Sequence, residues 1–340
     1  MTTLSSLKTA FPWIKFPLTV SAPMLGAATP AFALSVSRAG GIGFLAGGTN
    51  LTDLDRNLEK TASLFNLSPS PRSKDANLLP VGIGFQNWGC DLSAALELTK
   101  KHMPSIVWFY APNKIEDLRT WAREFRAATG NKIQIWVQVG TVKDAVDVMH
   151  FAKPDVLVLQ GADAGGHGLA RSASIISLLP EAADALEASG VQDVPLLAAG
   201  GVTEERGVAA AVALGAVGAV VGTRFLAANT GRSTLCDRLK GTVGWPPQYD
   251  GRALLNKGHE DMEAGMTDDE NARLYKEELK RGDEAWGAHG RMVAYAGTGV
   301  GLIQNTIPAK EIVNELTIGA MDILCRRVED LSERGNAECT

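Results

Sequence analysis

One histidine of the chain lies in a setting that suits acid–base chemistry. His167 is part of the run Gly165-Gly166-His167-Gly168, and the flanking glycines let the backbone and the imidazole approach a flat ligand closely. An imidazole titrates near neutral pH and can take or give a proton there. Asp163 precedes the glycine pair. It could orient His167, hold a ligand hydroxyl or simply form the turn.

Two glycine-rich segments could bind a phosphate. Gly200-Gly201 and Gly222-Thr223 each follow a short apolar run and open a helix. Unshielded backbone N–H groups and the positive ends of helices attract phosphate. The two apolar runs are the seventh and eighth of the chain. In barrel proteins the loops after strands 7 and 8 form the usual phosphate site. The sequence therefore predicts a phosphate site here, against the alternative that the glycines only make tight turns.

Eight apolar or β-branched runs alternate with helical patterns along the chain. Most runs are continuously apolar, which is typical of parallel strands covered on both faces. The pattern predicts an α/β fold, a closed (β/α)8 TIM barrel. The alternative is an open doubly wound sheet, which would have fewer strands and one dominant glycine-rich turn near the N-terminus. The predicted strands are Leu18–Ala22, Ile42–Ala46, Val81–Phe85, Ile106–Tyr110, Ile133–Val139, Val156–Gln160, Val194–Ala199 and Val217–Val221.

Cap residues predict where several helices begin. A Ser, Thr, Asp or Asn side chain just before a helix satisfies a backbone N–H of its first turn. Such residues predict helix starts at Thr29, Asn113, Thr141, Thr203 and Thr267.

The regular pattern ends after the eighth run. Residues 241–296 contain Trp245-Pro246-Pro247 and a charged stretch, and they are predicted to form a mostly helical insertion over one end of the barrel. Its charges form either a solvated helix face or a substrate lid. Residues 309–334 predict an amphipathic C-terminal helix. The predicted organisation is a barrel made of residues 1–230 and 297–340, with 241–296 as the insertion.

Composition excludes several classes of protein. The 340 residues are 45% hydrophobic and 21% charged, with a net charge of −5 and no basic run. Disorder is therefore excluded, and nucleic acid and membrane surfaces are not expected as partners. The four cysteines show no metal-ligand spacing, so no metal is predicted and a cytoplasmic location is expected. We expect a small-molecule ligand. The sequence is compatible with a homodimer.

Several motifs, taken in order, resemble those of the nitronate monooxygenase family, formerly called 2-nitropropane dioxygenases. They are Ala22-Pro23-Met24, Gln160–Gly168, Ala198–Val202 and Gly222–Phe225. The resemblance covers roughly residues 17–227, and Gly299–Ile303 also looks familial. It implies a TIM barrel that binds FMN non-covalently, with His167 as the catalytic base. The FMN contacts that it implies fall on Ala22, Pro23, Met24, Gln160, Gly165, Gly200, Gly201, Gly222 and Thr223.

An FMN would account for the polar residues of the predicted barrel end. Its phosphate would lie on the glycines after the seventh and eighth runs. Amide side chains both donate and accept hydrogen bonds, so Gln86, Gln138 and Gln160 suit the edge of the isoalloxazine or the ribityl hydroxyls. Met24 could pack against the ring. No G-x-G-x-x-G follows the first run, so an NAD-type Rossmann site is not supported.

The resemblance implies oxidation of alkyl nitronates, and also of neutral nitroalkanes as further candidates, with O2 to a carbonyl compound and nitrite. One alternative on the same scaffold is an FMN-dependent NAD(P)H reductase of quinones or enoyl thioesters. A second is a barrel that binds a phosphorylated metabolite without redox chemistry.

Overall fold

Eight parallel strands form the central sheet in the computed structural model of the chain, which describes residues 3–71, 73, 75, 77–225, 230–232, 235–286 and 289–337. The strands are β1 (Leu18–Ser21), β2 (Phe44–Gly48), β3 (Leu79–Gln86), β4 (Pro104–Tyr110), β5 (Gln134–Val139), β6 (Val156–Gln160), β8 (Leu196–Ala199) and β9 (Gly218–Val221), with β7 (Gly166–Leu169) lying outside this sheet. They pair in the order β1-β9-β8-β6-β5-β4-β3-β2.

The sheet curls until its two outer strands meet. A parallel bridge joins Val20 of β1 to Ile42, just before β2. The Ser21 N–H donates to the Ile42 carbonyl at 3.0 Å, and the Ile42 N–H donates to the Thr19 carbonyl at 3.1 Å. Each predicted strand overlaps one of these eight, and the predicted TIM barrel is confirmed.

Side chains alternate between two cores because successive residues of a strand point to opposite faces of the sheet. In β4, Ile106 and Trp108 fill the barrel interior, whereas Val107 and Phe109 pack against the outer helices. Phe44 meets Trp108 edge to face, with ring centroids 5.0 Å apart. These large rings fill the barrel, so a ligand has room only at its end.

Helices cover the outside of the barrel, and two further helices lie in the insertion. Their bounds are α1 (Thr3–Ala10), α2 (Pro30–Ala39), α3 (Thr52–Leu67), α4 (Leu92–His102), α5 (Asp117–Thr129), α6 (Val142–Phe151), α7 (Ile175–Ala188), α8 (Glu205–Ala213), α9 (Leu235–Lys240), α10 (Lys257–Glu263), α11 (Asp268–Glu278) and α12 (Ala309–Ala337). Three predicted caps are confirmed, since Thr29, Thr141 and Thr267 each accept a backbone N–H of their helix.

Two predicted helix starts are wrong, and in both cases a distant partner takes the cap side chain. The Thr203 hydroxyl donates to the Gly299 carbonyl at 3.1 Å, and α8 begins at Glu205. The Asn113 amide donates to the Trp88 carbonyl at 3.1 Å, and α5 begins at Asp117 without a side-chain cap.

A second, antiparallel sheet stands at one end of the barrel. It joins β7, β10 (Thr230–Arg232) and β11 (Tyr249–Leu254) in the order β10-β11-β7. None of these strands was predicted. Residues 241–296 contain the helices α10 and α11 and a short 3-10 segment, Leu279–Ala285, and through β11 they also pair with the glycine-rich segment that carries His167.

The C-terminal helix is confirmed and lies against the barrel exterior. In α12, Ile312, Leu316 and Ala320 are buried in the outer core. Arg224 donates to the Asn305 carbonyl and to its side-chain oxygen, both at 2.7 Å, which fixes the segment before α12. In the part of the chain that the structure describes, no helix has the length and apolar character needed to cross a bilayer.

Candidate active site

The glycines after β8 form a turn that is built from backbone alone. Gly200 and Gly201 have φ angles of +104° and +78°, which side-chain-bearing residues rarely adopt. A Cβ on Gly200 would lie 2.9 Å from the Ala164 nitrogen. The turn therefore needs glycine both for its conformation and for its close approach to the loop after β6.

The glycine after β9 is different, because space remains beside it. A Cβ on Gly222 would meet only Ala22 Cβ at 3.6 Å and Met24 Sδ at 3.8 Å, and its φ is not in the left-handed region. The Ala22 N–H donates to the Val221 carbonyl at 3.0 Å. The ends of β1 and β9 thus bring together three of the predicted FMN contacts.

The segment Gly297–Leu302 closes the other side of this glycine site. The Gly297 N–H donates to Thr223 Oγ1 at 2.8 Å, which leaves the Thr223 hydroxyl proton available to a ligand. A Cβ on Gly165 would lie 2.4 Å from the Gly297 nitrogen. Gly165 is therefore required by packing against this segment.

Asp163 has a structural role. Its Oδ1 accepts from the Thr298 hydroxyl at 3.0 Å, and its carbonyl accepts from the Thr298 N–H at 3.0 Å. The turn-forming interpretation fits these contacts. The alternative that Asp163 orients His167 is not supported, since a different carboxylate pairs with the imidazole.

The three predicted glutamines lie half-buried at the carboxyl ends of β3, β5 and β6. The Gln160 amide donates to the His167 carbonyl at 3.2 Å, which supports the histidine backbone. Gln86 hydrogen-bonds the Tyr110 hydroxyl, and burial raises the pKa of Tyr110. Gln138 lies beside β6, in register with Val158.

A flavin fits the residues at this end of the barrel. Next to Gln86, both amide atoms of Asn87 are buried and have no hydrogen-bond partner among the described residues, an arrangement that costs about 1–3 kcal/mol for each such group. A polar ligand would satisfy them. The positive-φ glycine turn, the space beside Gly222 and the amides together match a phosphate, a ribityl chain and a polar ring edge.

His167 lies on β7, opposite Gly251 of β11. Its Nε2 is 2.9 Å from Asp237 Oδ2 and 3.0 Å from Oδ1. The His167 and Asp237 side chains are only 11% and 9% exposed. The sequence predicted a functional role for His167, which stays a prediction, and it gave no indication of its partner Asp237.

Asp237 was missed by sequence reasoning. It lies on α9, 70 residues from His167, in a segment with no distinctive motif. The Thr242 hydroxyl donates to Asp237 Oδ1 at 3.1 Å, and the Tyr295 hydroxyl donates to the same oxygen at 3.2 Å. Burial, and then the Asp237 charge, raise the pKa of Tyr295, so its phenol remains a donor at neutral pH.

Aromatic rings enclose the imidazole. Trp245 stacks on His167 with centroids 3.7 Å apart and planes 7° from parallel. Tyr295 lies 5.2 Å from the imidazole at a tilt, and Trp88 and Tyr249 lie 5.3 and 6.0 Å from Trp245. Burial raises the pKa of Tyr249 to about 12. Apolar rings and neutral phenols exclude water here, which strengthens the His167–Asp237 interaction.

The two buried cysteines are not activated as nucleophiles. Burial raises the pKa values of Cys90 and Cys236 to about 12, so both remain protonated thiols at neutral pH. Within the described ranges, no group of three or more His, Cys, Asp or Glu residues is arranged to hold a metal ion.

Comparisons with known proteins agree with this geometry. A model of the family "Nitronate monooxygenase" matches residues 119–319. Nitronate monooxygenase npaC of Metarhizium robertsii is 41% identical over 96% of this chain and 97% of its own length. Nitronate monooxygenase of Neurospora crassa is 35% identical over 92% of this chain and 91% of its own.

Solved structures share the fold. A nitroalkane oxidase from Streptomyces ansochromogenes superposes with a TM-score of 0.69 at 24% identity, over 94% of this chain and all of that one. FabK from Thermotoga maritima gives a TM-score of 0.66 at 20% identity, over 97% and 98%. At these identities the two structures support the barrel alone. The family match and the two relatives go further, and they show that the chain belongs to the nitronate monooxygenase family, a flavin-dependent family.

Proposed function

We propose that the protein uses FMN to oxidise alkyl nitronates with O2, giving a carbonyl compound and nitrite. The observation that supports this most directly is His167, fixed at the barrel rim by a buried carboxylate, on the loop next to the glycine turns. The two relatives named nitronate monooxygenase support the same reaction.

The backbone at the ends of β8 and β9 would hold the FMN phosphate. Gly200, Gly201 and Gly222 expose N–H groups there, and Thr223 would add its hydroxyl. The remaining proposed contacts are those at Ala22, Pro23, Met24, Gly165, Gln86, Gln138 and Gln160. When bound, the flavin would supply electron transfer between the nitronate and O2.

The overall reaction balances without a nicotinamide. Two nitronate anions and one O2 contain the atoms and the charge of two carbonyl compounds and two nitrite anions. Electrons from the carbon–nitrogen unit reduce the oxygen, and no further reductant is needed. This distinguishes the proposal from the reductase alternative, which consumes NAD(P)H.

His167 would have different tasks with the two forms of substrate. A neutral nitroalkane must lose its α-proton before it can give up electrons, and His167 would accept that proton. A nitronate has already lost it, so His167 would only orient the anion or, in its protonated form, donate a hydrogen bond to a nitro oxygen.

Residues 241–296 would act as a lid over the reaction. Trp245 covers one face of the imidazole, and Tyr249 donates to the Pro112 carbonyl at 3.4 Å, which ties the insertion to the loop after β4. The proposed partners are the small-molecule substrate and O2. Nucleic acid and membrane surfaces are not proposed as partners, because the net charge is −5 and the sequence has no basic run. We propose a cytoplasmic location.

Anaerobic mixing tests the proposal. The purified protein should be yellow, and a nitronate should bleach the flavin while NADH at the same concentration should not. Admission of O2 should restore the colour and release nitrite. Rapid bleaching by NADH with no response to nitronates would instead establish the reductase, and a colourless protein that binds phosphate esters would establish the non-redox barrel.

A further inference from the structure

The pairing of Asp237 with His167 carries an inference that rests on the proposed function. We propose that Asp237 is a positioning residue: it holds the Nε2 proton of His167 and leaves Nδ1 as the atom that accepts the substrate α-proton.

The tautomer follows from the hydrogen-bonding capacity of the two groups. Both oxygens of Asp237 lie within 3.0 Å of Nε2, and an ionised carboxylate can only accept hydrogen bonds. Nε2 must therefore carry a proton. In neutral imidazole the other nitrogen then has the free lone pair. In serine hydrolases the Asp carboxylate likewise accepts a hydrogen bond from one imidazole nitrogen and leaves the other as the base; there Nδ1 is the donor and Nε2 the base.

Hydrogen-bond donors surround the Asp237 carboxylate. Thr242 and Tyr295 both donate to Oδ1. Lys240, on the same helix, has its ammonium group 5.0 Å from the Tyr295 ring centroid. Cys236 faces the same cluster as an uncharged thiol, because burial raises its pKa to about 12. Two neutral hydroxyl donors thus stabilise the carboxylate, and the charge of Lys240 interacts with it although burial lowers the pKa of Lys240.

Proton uptake by His167 leaves no uncompensated charge in this buried site. Once Nδ1 has accepted the α-proton, the imidazolium and the Asp237 carboxylate form an ion pair at 2.9 Å. An unpaired buried cation would oppose the transfer. The carboxylate therefore makes His167 an effective base as well as fixing its tautomer.

The ring plane is fixed independently. Trp245 stacks on one face, and Gln160 donates to the His167 carbonyl. Asp237 and Trp245 both lie within residues 235–249, so this segment orients the base that the barrel loop supplies. In the competing interpretation, the Asp237–His167 interaction only holds α9 against β7. Its loss would then leave the rate of proton transfer unchanged.

The test compares Asp237→Asn with wild-type holoenzyme on a neutral nitroalkane and on its nitronate, across pH. We expect the rate on the neutral substrate to fall by about 10²-fold or more, the range of general-base effects, and the rate on the nitronate by less than about tenfold. The acid limb of the neutral-substrate profile should move to lower pH, since the imidazolium has lost its counter-charge. Asp237→Glu should recover part of the rate.

Asp268→Asn is the matched control. Asp268, on α11, forms an ion pair at 2.7 Å with Arg238 of α9, the helix that carries Asp237, and is half-exposed. Its variant should therefore keep both rates and the pH profile. Equal rates and an unchanged pH profile in Asp237→Asn, with normal flavin content, would overturn the inference.

A spectroscopic measurement decides the tautomer without turnover. Imidazole ¹⁵N NMR of the wild type, with His167→Asn to assign the signal, should show a protonated Nε2 and an unprotonated Nδ1 in the neutral ring. A ring protonated at Nδ1 would overturn the inference, even if Asp237→Asn fails to fold. If wild-type protein oxidises neither substrate, the proposed function fails, and this NMR result alone decides whether Asp237 positions the ring.

Discussion

The glycine site and the histidine site lie at the same end of the barrel but are built in opposite ways. At the glycine site, glycine backbone directly follows β8 and β9, so the strands place it, and the segment Gly297–Leu302 packs against it. At the histidine site, side chains from β7, α9, the loop before β11 and Tyr295 meet around one ring. The proposed cofactor site thus rests mainly on backbone conformation at strand ends, whereas the geometry around His167 rests on side chains from distant segments.

The largest effect is expected when the base itself is removed. His167→Asn should lower the rate on a neutral nitroalkane by about 10²- to 10⁴-fold, because general-base catalysis contributes that much. The nitronate rate should fall far less, and flavin content should stay normal because the glycine site is untouched. Steady-state rates on both forms check this; equal, small losses would remove His167 from the catalytic role.

The glycine site should respond to bulk without losing the fold. In Gly222→Val the first added carbon meets only ordinary contacts at 3.6 and 3.8 Å, so the protein should fold, but the side chain should occupy the proposed phosphate position. We expect flavin affinity to fall tenfold or more, roughly 1.4 kcal/mol. Flavin retained per chain after dialysis measures it.

Ala127→Val is the control for this change, because it adds bulk at an exposed position of α5 on the barrel exterior. Gly201→Val is a poorer test than Gly222→Val, since φ at Gly201 is +78° and any side chain strains that turn. Full flavin occupancy in Gly222→Val would place the phosphate elsewhere.

A smaller effect is expected from opening the aromatic enclosure. Trp245→Ala removes the ring stacked at 3.7 Å on His167 and admits water beside the ion pair, which weakens it. We expect a loss of about tenfold in kcat on the neutral substrate, in line with roughly 1.4 kcal/mol, while flavin binding is unchanged. Trp286→Ala, which alters a side chain that is 49% exposed, should have no such effect. A drop in flavin content in Trp245→Ala would show that the two sites are not separable.

The smallest effect concerns the tyrosines near the histidine site. Burial raises the pKa values of Tyr110, Tyr249 and Tyr295, that of Tyr249 to about 12. An unfolded chain ionises its tyrosines near pH 10, so the stability that these neutral phenols contribute is complete below pH 10 and is lost as pH rises towards 12. Ultraviolet titration should show less phenolate at pH 10.5 in folded than in denatured protein. Identical titration curves would contradict the burial.

Much of the fold and of the glycine site could be predicted from the sequence. The eight buried strands follow from continuous apolar runs, and Thr29, Thr141 and Thr267 act as caps because a cap bonds to a backbone N–H only two or three residues away. The glycines of the predicted phosphate site come directly after their predicted strands in the sequence. These features depend on neighbours in the chain, and local patterns encode them.

The rest was decided by tertiary structure. Thr203 and Asn113 bond to carbonyls 96 and 25 residues away instead of capping a helix. The strand around His167 exists because β11 pairs with it, and glycines carry no strand signal of their own. Asp237 reaches His167 across 70 residues. A hydrogen bond forms with whichever group the fold brings within about 3 Å, so a residue's type indicates what it can do, and only the packed chain decides with which partner.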